Sequence, residues 1–360
     1  MRRLALVTDA WHPQTNGVVN TLTRLVEDLS KRGNEVLVVS PETHRTVPLP
    51  SYPEYRIAID PWRAMARIRA FAPDAVHIAT EGPLGFWVNG FLRRRRLAFT
   101  TSFHTRFPEY LSARLPVPLS FGYCVERWFH RPAVHTLVGT VSLMKELDAR
   151  RIGSQLVHWP RGVDLDRFRP DQRRFEVFAD LPRPVWLYVG RVAAEKSLAD
   201  FLRLPLDGTK VVVGDGPERE PLTRRFPDVV WRGYRYGDDL AAHFASADCF
   251  VFPSRTETFG NVILEALASG IPVASVPAPG PIDLIQEGVN GSVNDDLMLA
   301  CMRALRCSSE QARTSTHGYT YQASHAQFRA HLVPLIKRLP KAVHNVADAE
   351  GSATSALTHA

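Results

Sequence analysis

The chain has 360 residues, enough for two domains that each bury their own core. Hydrophobic residues make up 45% of it and charged residues 22%, values that exclude a disordered or fibrous chain. The formal net charge of +7 suits an acidic partner, whether a nucleotide sugar, an anionic bilayer or a nucleic acid, and charge alone does not choose among them.

Met1-Arg2-Arg3 is followed by only four consecutive apolar residues, Leu4 to Val7, before Thr8 and Asp9. That is too short for a secretory signal, so none is expected. No apolar run approaches the length of a membrane span. Cys124, Cys249, Cys301 and Cys307 form no CxxC pair and no zinc spacing. A reduced, cytoplasmic chain is the expectation, with attachment to the inner face of the plasma membrane left open.

In chain order, Leu4–Val7 reads as a buried parallel strand, and a loop with Pro13, Asn16 and Gly17 follows it. Val18, Val19, Leu22, Leu25, Val26 and Leu29 then recur at helical spacing up to Gly33, and Val36–Val39 is a second strand. This is a βαβ unit whose loop lies at the strand's carboxyl end, where open parallel sheets bind ligands. Further strands are expected at 75–78, 98–101 and 135–138. After Pro182 and Pro184 the pattern restarts, with strands at 185–189, 210–213, 229–231, 249–252 and 271–275. Two α/β series imply two doubly wound, Rossmann-like domains facing a cleft. The expected limits are 1–170 and 180–320, with a boundary near 165–184. A helix over about 321–338, within a segment 321–340, should pack back toward the first domain, and a polar tail, 341–360, should be disordered.

The strongest constellation runs from Arg255 to Gly270: Glu257 lies in a loop after a strand, Gly260 begins a helix, and Glu265 lies within that helix. A helix start offers free N–H groups and a positive dipole end that suit a diphosphate. Two carboxylates there would repel phosphate, but they accept strongly from sugar and ribose hydroxyls. Arg191 and Lys196 follow another strand, where two cations could neutralise a departing diphosphate. Gly17 allows close backbone approach to a phosphate or sugar, and the loop is no GxGxxG fingerprint, which counts against a nicotinamide enzyme.

Glu257 and Glu265, with Phe259-Gly260 between them, resemble the paired-glutamate motif of the retaining glycosyltransferases of family 4. Gly270-Ile271-Pro272-Val273 and Gly288-Val289-Asn290-Gly291 follow that family's pattern in the right order. The resemblance spans roughly residues 4–335 and extends to bacterial alpha-mannosyltransferases and glycosyldiacylglycerol synthases. It implies a GT-B fold. It also implies that Arg191 and Lys196 stabilise the leaving diphosphate and that Gly214 and Gly216 form the turn near the nucleotide. His104 in Thr101–Tyr110 contacts the donor sugar by the same resemblance. The family commonly has two adjacent glycines where this chain has Asn16-Gly17, and Arg161 stands where an asparagine is also common.

The expected reaction is front-face transfer of a hexose (mannose, glucose or glucuronate) from a GDP- or UDP-sugar. Glu265 would hold the ribose, while Glu257 and the backbone of Thr258, Phe259 and Gly260 orient the donor sugar. No metal ligand set is evident, so neither a metal nor another cofactor is expected. Aromatic residues mixed with arginines over 86–96 and 106–132 suggest an anionic membrane surface, and the resemblance implies a lipid acceptor such as diacylglycerol. A soluble or polysaccharide acceptor is the alternative. The rivals of other classes are a sugar-nucleotide epimerase and a nonenzymatic nucleotide-sugar-binding subunit. No recognisable nucleic-acid-binding module is present, so a nucleic-acid partner is not expected.

Overall fold

The computed structural model describes residues 2–14, 16–49, 52–114 and 117–337. The expected tail 341–360 and the end of the segment 321–340 lie outside the described residues.

The first half runs β1 (Arg3–Val7), α1 (Gly17–Lys31), β2 (Glu35–Val39), β3 (Thr46–Leu49), β4 (Tyr52–Ala58), α2 (Arg63–Phe71) and β5 (Ala75–Ile78). It continues with α3 (Pro83–Arg94), β6 (Thr100–Phe103), α4 (Phe107–Arg114), α5 (Leu119–His130), β7 (His135–Val138), α6 (Val141–Ala149) and β8 (Leu156–His158). Six strands form one parallel sheet in the order β2-β1-β5-β6-β7-β8, and β3 and β4 pair separately as an antiparallel hairpin. β1 is apolar on both faces because it lies between β2 and β5, with Leu6 opposite Val38 on one side and His77 on the other.

The second half runs β9 (Val185–Val189), α7 (Leu198–Leu202), β10 (Thr209–Val213), α8 (Arg219–Arg225), β11 (Val230–Gly233), α9 (Gly237–Ser246) and β12 (Cys249–Phe252). α10 (Asn261–Ala268), β13 (Val273–Ser275), α11 (Pro279–Leu284), β14 (Gly291–Val293), α12 (Leu297–Ala304), α13 (Ser309–Thr314) and α14 (Tyr321–His331) complete it. Its sheet is again parallel, in the order β11-β10-β9-β12-β13-β14. Each sheet reverses its order beside its first strand, between β1 and β5 and between β9 and β12. Those two switch points are where such sheets bind ligands.

The chain crosses between the halves twice, and the two crossings run side by side. The Val163 N–H donates to the Tyr319 carbonyl (2.8 Å), and Ser324 Oγ donates to the Pro160 carbonyl (2.6 Å). α14 then packs on the first domain, where Phe328 joins Leu22, Leu25 and Trp159 in one core. Val163 and Phe168 belong to the core of the second domain, so packing divides the chain a few residues before the expected limit at 170.

Two local expectations are corrected. The helix expected to 338 ends at His331, because Pro334 disfavours helix at the residue before it and Ile336 is drawn into backbone pairing. The Ala98 N–H donates to the Ile336 carbonyl (2.9 Å), and the strand expected from 98 accordingly starts at Thr100.

Candidate functional site

The residues singled out by pattern gather at the carboxyl edges of the two sheets. β9 leads into the loop carrying Arg191 and Lys196, and β12 leads into the loop carrying Glu257 to Gly260, so both flank the switch point of the second sheet. On the first domain, the loops after β1 and β6 carry Gly17 and His104.

Lys196 Nζ donates to Glu257 Oε2 at 2.8 Å, with each side chain about four-fifths buried (21% and 20% exposed). Burial works to raise the Glu257 carboxyl, but Lys196 and the backbone N–H groups of Thr258 and Phe259 outweigh it and hold it below its ordinary value. Ser197, directly after Lys196, takes the left-handed conformation (φ 51°) and turns the chain sharply into α7. Arg191 Nη1 donates to the hydroxyl of Tyr55 at 3.1 Å, a contact that comes from β4 of the other domain.

His104 sits against the Thr258 loop: Thr258 Oγ1 donates to the His104 carbonyl (2.7 Å), and Thr140 Oγ1 donates to the Thr258 carbonyl (3.2 Å). The imidazole is 7% exposed. Burial first, then Arg161, His77 and His130, push its pKa well below the ordinary histidine value, so the ring is neutral. His77 beneath it is similarly lowered, to about 3, by burial and then by Arg161.

Gly17 opens α1 opposite α10, close enough for Asn261 Nδ2 to donate to its carbonyl at 3.4 Å. Asn16 replaces the first of the two expected glycines without conflict. Its backbone is extended (φ −152°), and its Oδ1 caps α1 by accepting from the Val18 and Val19 N–H groups, both at 3.0 Å. Gly214 and Gly216 are needed for close approach: a Cβ there would stand 1.9 Å from the Gly190 carbonyl oxygen and 2.3 Å from that of Val192. They pack their turn onto the Arg191 loop. Gly260 (φ 85°) precedes α10, whose first turn has no side-chain cap and keeps N–H groups available to an anion.

Glu265 lies inside α10. Burial raises its carboxyl to about 7 against the pull of Arg24 and Arg167, so a partner that donates hydroxyl hydrogens would favour its charged form. Three further residues at the site, Asp9, Tyr55 and Arg161, carried no assigned role in the sequence. Asp9 accepts from the Leu84 and Gly85 N–H groups (3.0 and 3.2 Å) and so caps α3, while burial lifts its carboxyl to about 6. Its only sequence signal was a carboxylate just past a strand end.

Below the first-domain edge, His130 Nε2 meets Glu81 Oε1 at 3.0 Å and Glu126 Oε2 at 3.1 Å. These three atoms lie close enough together to hold a metal ion. Burial opposes charge on His130, yet Glu126 and Glu81 together raise it to about 9, so the imidazolium can supply the balancing positive charge itself.

Residues 15–167 match the family described as Glycosyltransferase Family 4, and residues 183–306 match Glycosyl transferases group 1. Over 311 residues the chain is 35% identical to a GDP-mannose-dependent alpha-mannosyltransferase of Mycobacterium tuberculosis, a match covering 79% of this chain and 81% of that one. It is 24% identical over 374 residues to an alpha-monoglucosyldiacylglycerol synthase of Streptococcus pneumoniae, covering 91% and 83% of the two. Among solved structures, sucrose-phosphate synthase from Thermosynechococcus elongatus superposes with a TM-score of 0.72 at 20% identity, covering 92% of this chain and 98% of that one.

Two doubly wound domains with their loop-bearing edges apposed give the GT-B fold. Within that class, the chain belongs to glycosyltransferase family 4 and is a hexosyltransferase enzyme.

Proposed function

We propose that this enzyme transfers mannose, glucose or glucuronate from a GDP- or UDP-sugar to a membrane lipid such as diacylglycerol, with retention at the anomeric carbon. The observation that carries the transferase chemistry is the 2.8 Å Lys196–Glu257 pair at the second switch point, with its neighbour Thr258 bonded to His104 across the cleft. In this reading Lys196 and Arg191 take up the charge of the departing diphosphate. Glu257 orients the sugar, Glu265 accepts from the ribose hydroxyls, and His104 contacts the sugar from the opposite wall. Such fixed charges and dipoles need no reorganisation as the leaving group separates. The acceptor proton passes to the leaving phosphate, and no metal takes part, so excess chelator should leave turnover unchanged.

The lipid acceptor is supported by a mixed aromatic and basic surface on the first domain. Trp62, Trp87 and Trp128 are 56%, 47% and 45% exposed. Trp62 and Trp87 lie edge to face (6.3 Å), Phe86 stacks on Trp128 (5.7 Å), and the Arg93 guanidinium stands 5.4 Å from the Trp128 ring. Aromatic rings seat in the headgroup region while each nearby basic residue adds roughly 1 kcal/mol on an anionic bilayer. No helix among the described residues is long and apolar enough to cross a membrane. The reading therefore places the enzyme peripherally, on the cytoplasmic face. The diacylglycerol synthase among its relatives supports the same acceptor class.

Purified enzyme incubated with a panel of GDP- and UDP-sugars, with and without diacylglycerol-containing anionic liposomes, tests this reading. Nucleoside diphosphate release that requires the lipid, with one donor preferred, is expected alongside new glycolipid. Release with no lipid product would redirect the acceptor to a soluble sugar or polysaccharide. Nucleotide binding without release would overturn turnover itself.

A further inference from the structure

Arg161 is a buried cation (6% exposed) that forms no ion pair with a carboxylate among the described residues. Its Nη1 donates to the Trp159 carbonyl at 2.8 Å, and its Nη2 lies 3.0 Å from His104 Nδ1. The guanidinium is stacked 4.3 Å from the Trp159 ring centre and reaches to 5.9 Å from that of Phe259 in the second domain. Burial brings its pKa down to about 9, so it remains charged at neutral pH. An unpaired charge in such a place is costly and calls for a role.

A guanidinium has five N–H donors and no acceptor. The imidazole atom it meets must therefore be an acceptor, which puts the lone pair on Nδ1 and the hydrogen on Nε2. That Nε2 is buried and has no hydrogen-bond partner among the described residues. A buried N–H without a partner is destabilising, a deficit that an arriving hydroxyl removes.

We propose that Arg161 is a positioning residue for the transfer reaction: it locks His104 as the neutral Nε2–H tautomer and leaves that N–H for a hydroxyl of the donor sugar. The proposal rests on the reading that His104 contacts the sugar. Arg161 does so from the crossover segment after β8, so the same residue ties the cleft floor to the point where the domains join. The charged or titratable groups acting on His104 are Arg161 itself, His77 on β5 and His130 on α5. Two of these are cations, since His130 is held protonated up to about 9, and both oppose protonation of His104. His104 thus serves as a fixed hydrogen-bond donor that keeps its Nε2 hydrogen and transfers no proton during turnover.

Nitrogen-15 NMR of histidine-labelled enzyme tests this directly, with His104→Asn used to assign the signal among the 13 histidines. The substrate-free enzyme should show His104 with hydrogen on Nε2 only, unchanged from pH 5.5 to 8.5. An Nδ1–H tautomer or an imidazolium in that range would overturn the proposal without reference to any substrate. In Arg161→Ala the signal should become a mixture of tautomers that titrates, and kcat should fall by about 10- to 100-fold with the donor KM little changed. Arg161→Lys keeps one N–H donor and should recover part of both. Arg161→Ala with slow turnover but an unaltered His104 signal would reduce Arg161 to a packing residue. If Arg161→Ala does not fold, the wild-type and Arg161→Lys spectra still decide. Adding each nucleotide sugar then tests the underlying reading separately: an Nε2–H signal that no donor shifts would remove His104 from the sugar site while leaving the tautomer assignment standing.

Discussion

Lys196 and Glu257 come from loops 61 residues apart in sequence, yet they meet at 2.8 Å where the second sheet reverses its strand order. The pair couples a cation to a carboxylate, so neither can be removed without altering the other.

Lys196→Ala should lower kcat by about 10²–10³ if the lysine holds the leaving diphosphate, the range seen when one preorganised donor is lost. Glu257→Ala should be similarly damaging. The double variant should lose less than the product of the two, because contacting residues couple. Steady-state rates of all three forms measure this, and full activity in Lys196→Ala would remove the lysine from the mechanism.

Asp283 of α11 accepts from both the backbone N–H (2.9 Å) and the hydroxyl of Ser142 at the start of α6, a direct tie between the domains. Asp283→Ala removes a charged acceptor, a loss of about 1.5–3 kcal/mol. Its kcat/KM should fall about 10-fold and its small-angle scattering radius should rise, both through a looser tie between the two domains. Unchanged scattering would show that other cross-domain contacts suffice.

His130 lies at about 9 in the folded protein, above its ordinary 6.5, so its contribution is complete below pH 6.5 and is lost as pH rises through 9. Glu126, raised by burial from 4.5 to about 7, has the same sign over a lower window. His130→Gln should therefore destabilise the protein by about 3 kcal/mol at pH 6.5 and by much less at pH 9.5. Urea midpoints at the two pH values check this, and an equal deficit at both would mean that packing, not charge, is what His130 contributes.

Gly214→Ala forces a Cβ to within 1.9 Å of the Gly190 carbonyl oxygen, at a residue whose φ is 136°. The chain must shift the Gly214–Gly216 turn or unfold it, and a loss above about 3 kcal/mol is expected. Gly288→Ala is the control, since Gly288 has positive φ (73°) but a Cβ there meets nothing within 4 Å among the described residues, leaving a backbone penalty of only about 1–2 kcal/mol. Equal melting temperatures for the two variants would contradict the steric argument.

What could be read from the sequence follows from where each group's partner lies. The buried strands were legible because β1 and β9 must be apolar on both faces, and the glutamate and lysine loops were legible because they follow such strands. The hairpin β3–β4 has a weak strand pattern: Pro48 and Pro53 interrupt its two strands, and it belongs to neither main sheet. Asp9 and Arg161 were illegible for another reason. Asp9 caps a helix 75 residues away, and Arg161 touches a ring 57 residues earlier, so their roles exist only once the sheets have formed. Tyr55 reaches Arg191 across 136 residues and the domain boundary, a contact that no local pattern encodes.

The return of α14 to the first domain changes what a C-terminal truncation would mean. Phe328 sits against Trp159 (4.9 Å) and His77 (4.9 Å) in the interior beneath the cleft, while the second sheet closes with β14. Clipping the chain after α13 would spare the half it is cut from and unroof the opposite one, exposing the underside of the His104 wall. Loss of activity from such a cut would therefore look like a failure at the amino-terminal end of the protein.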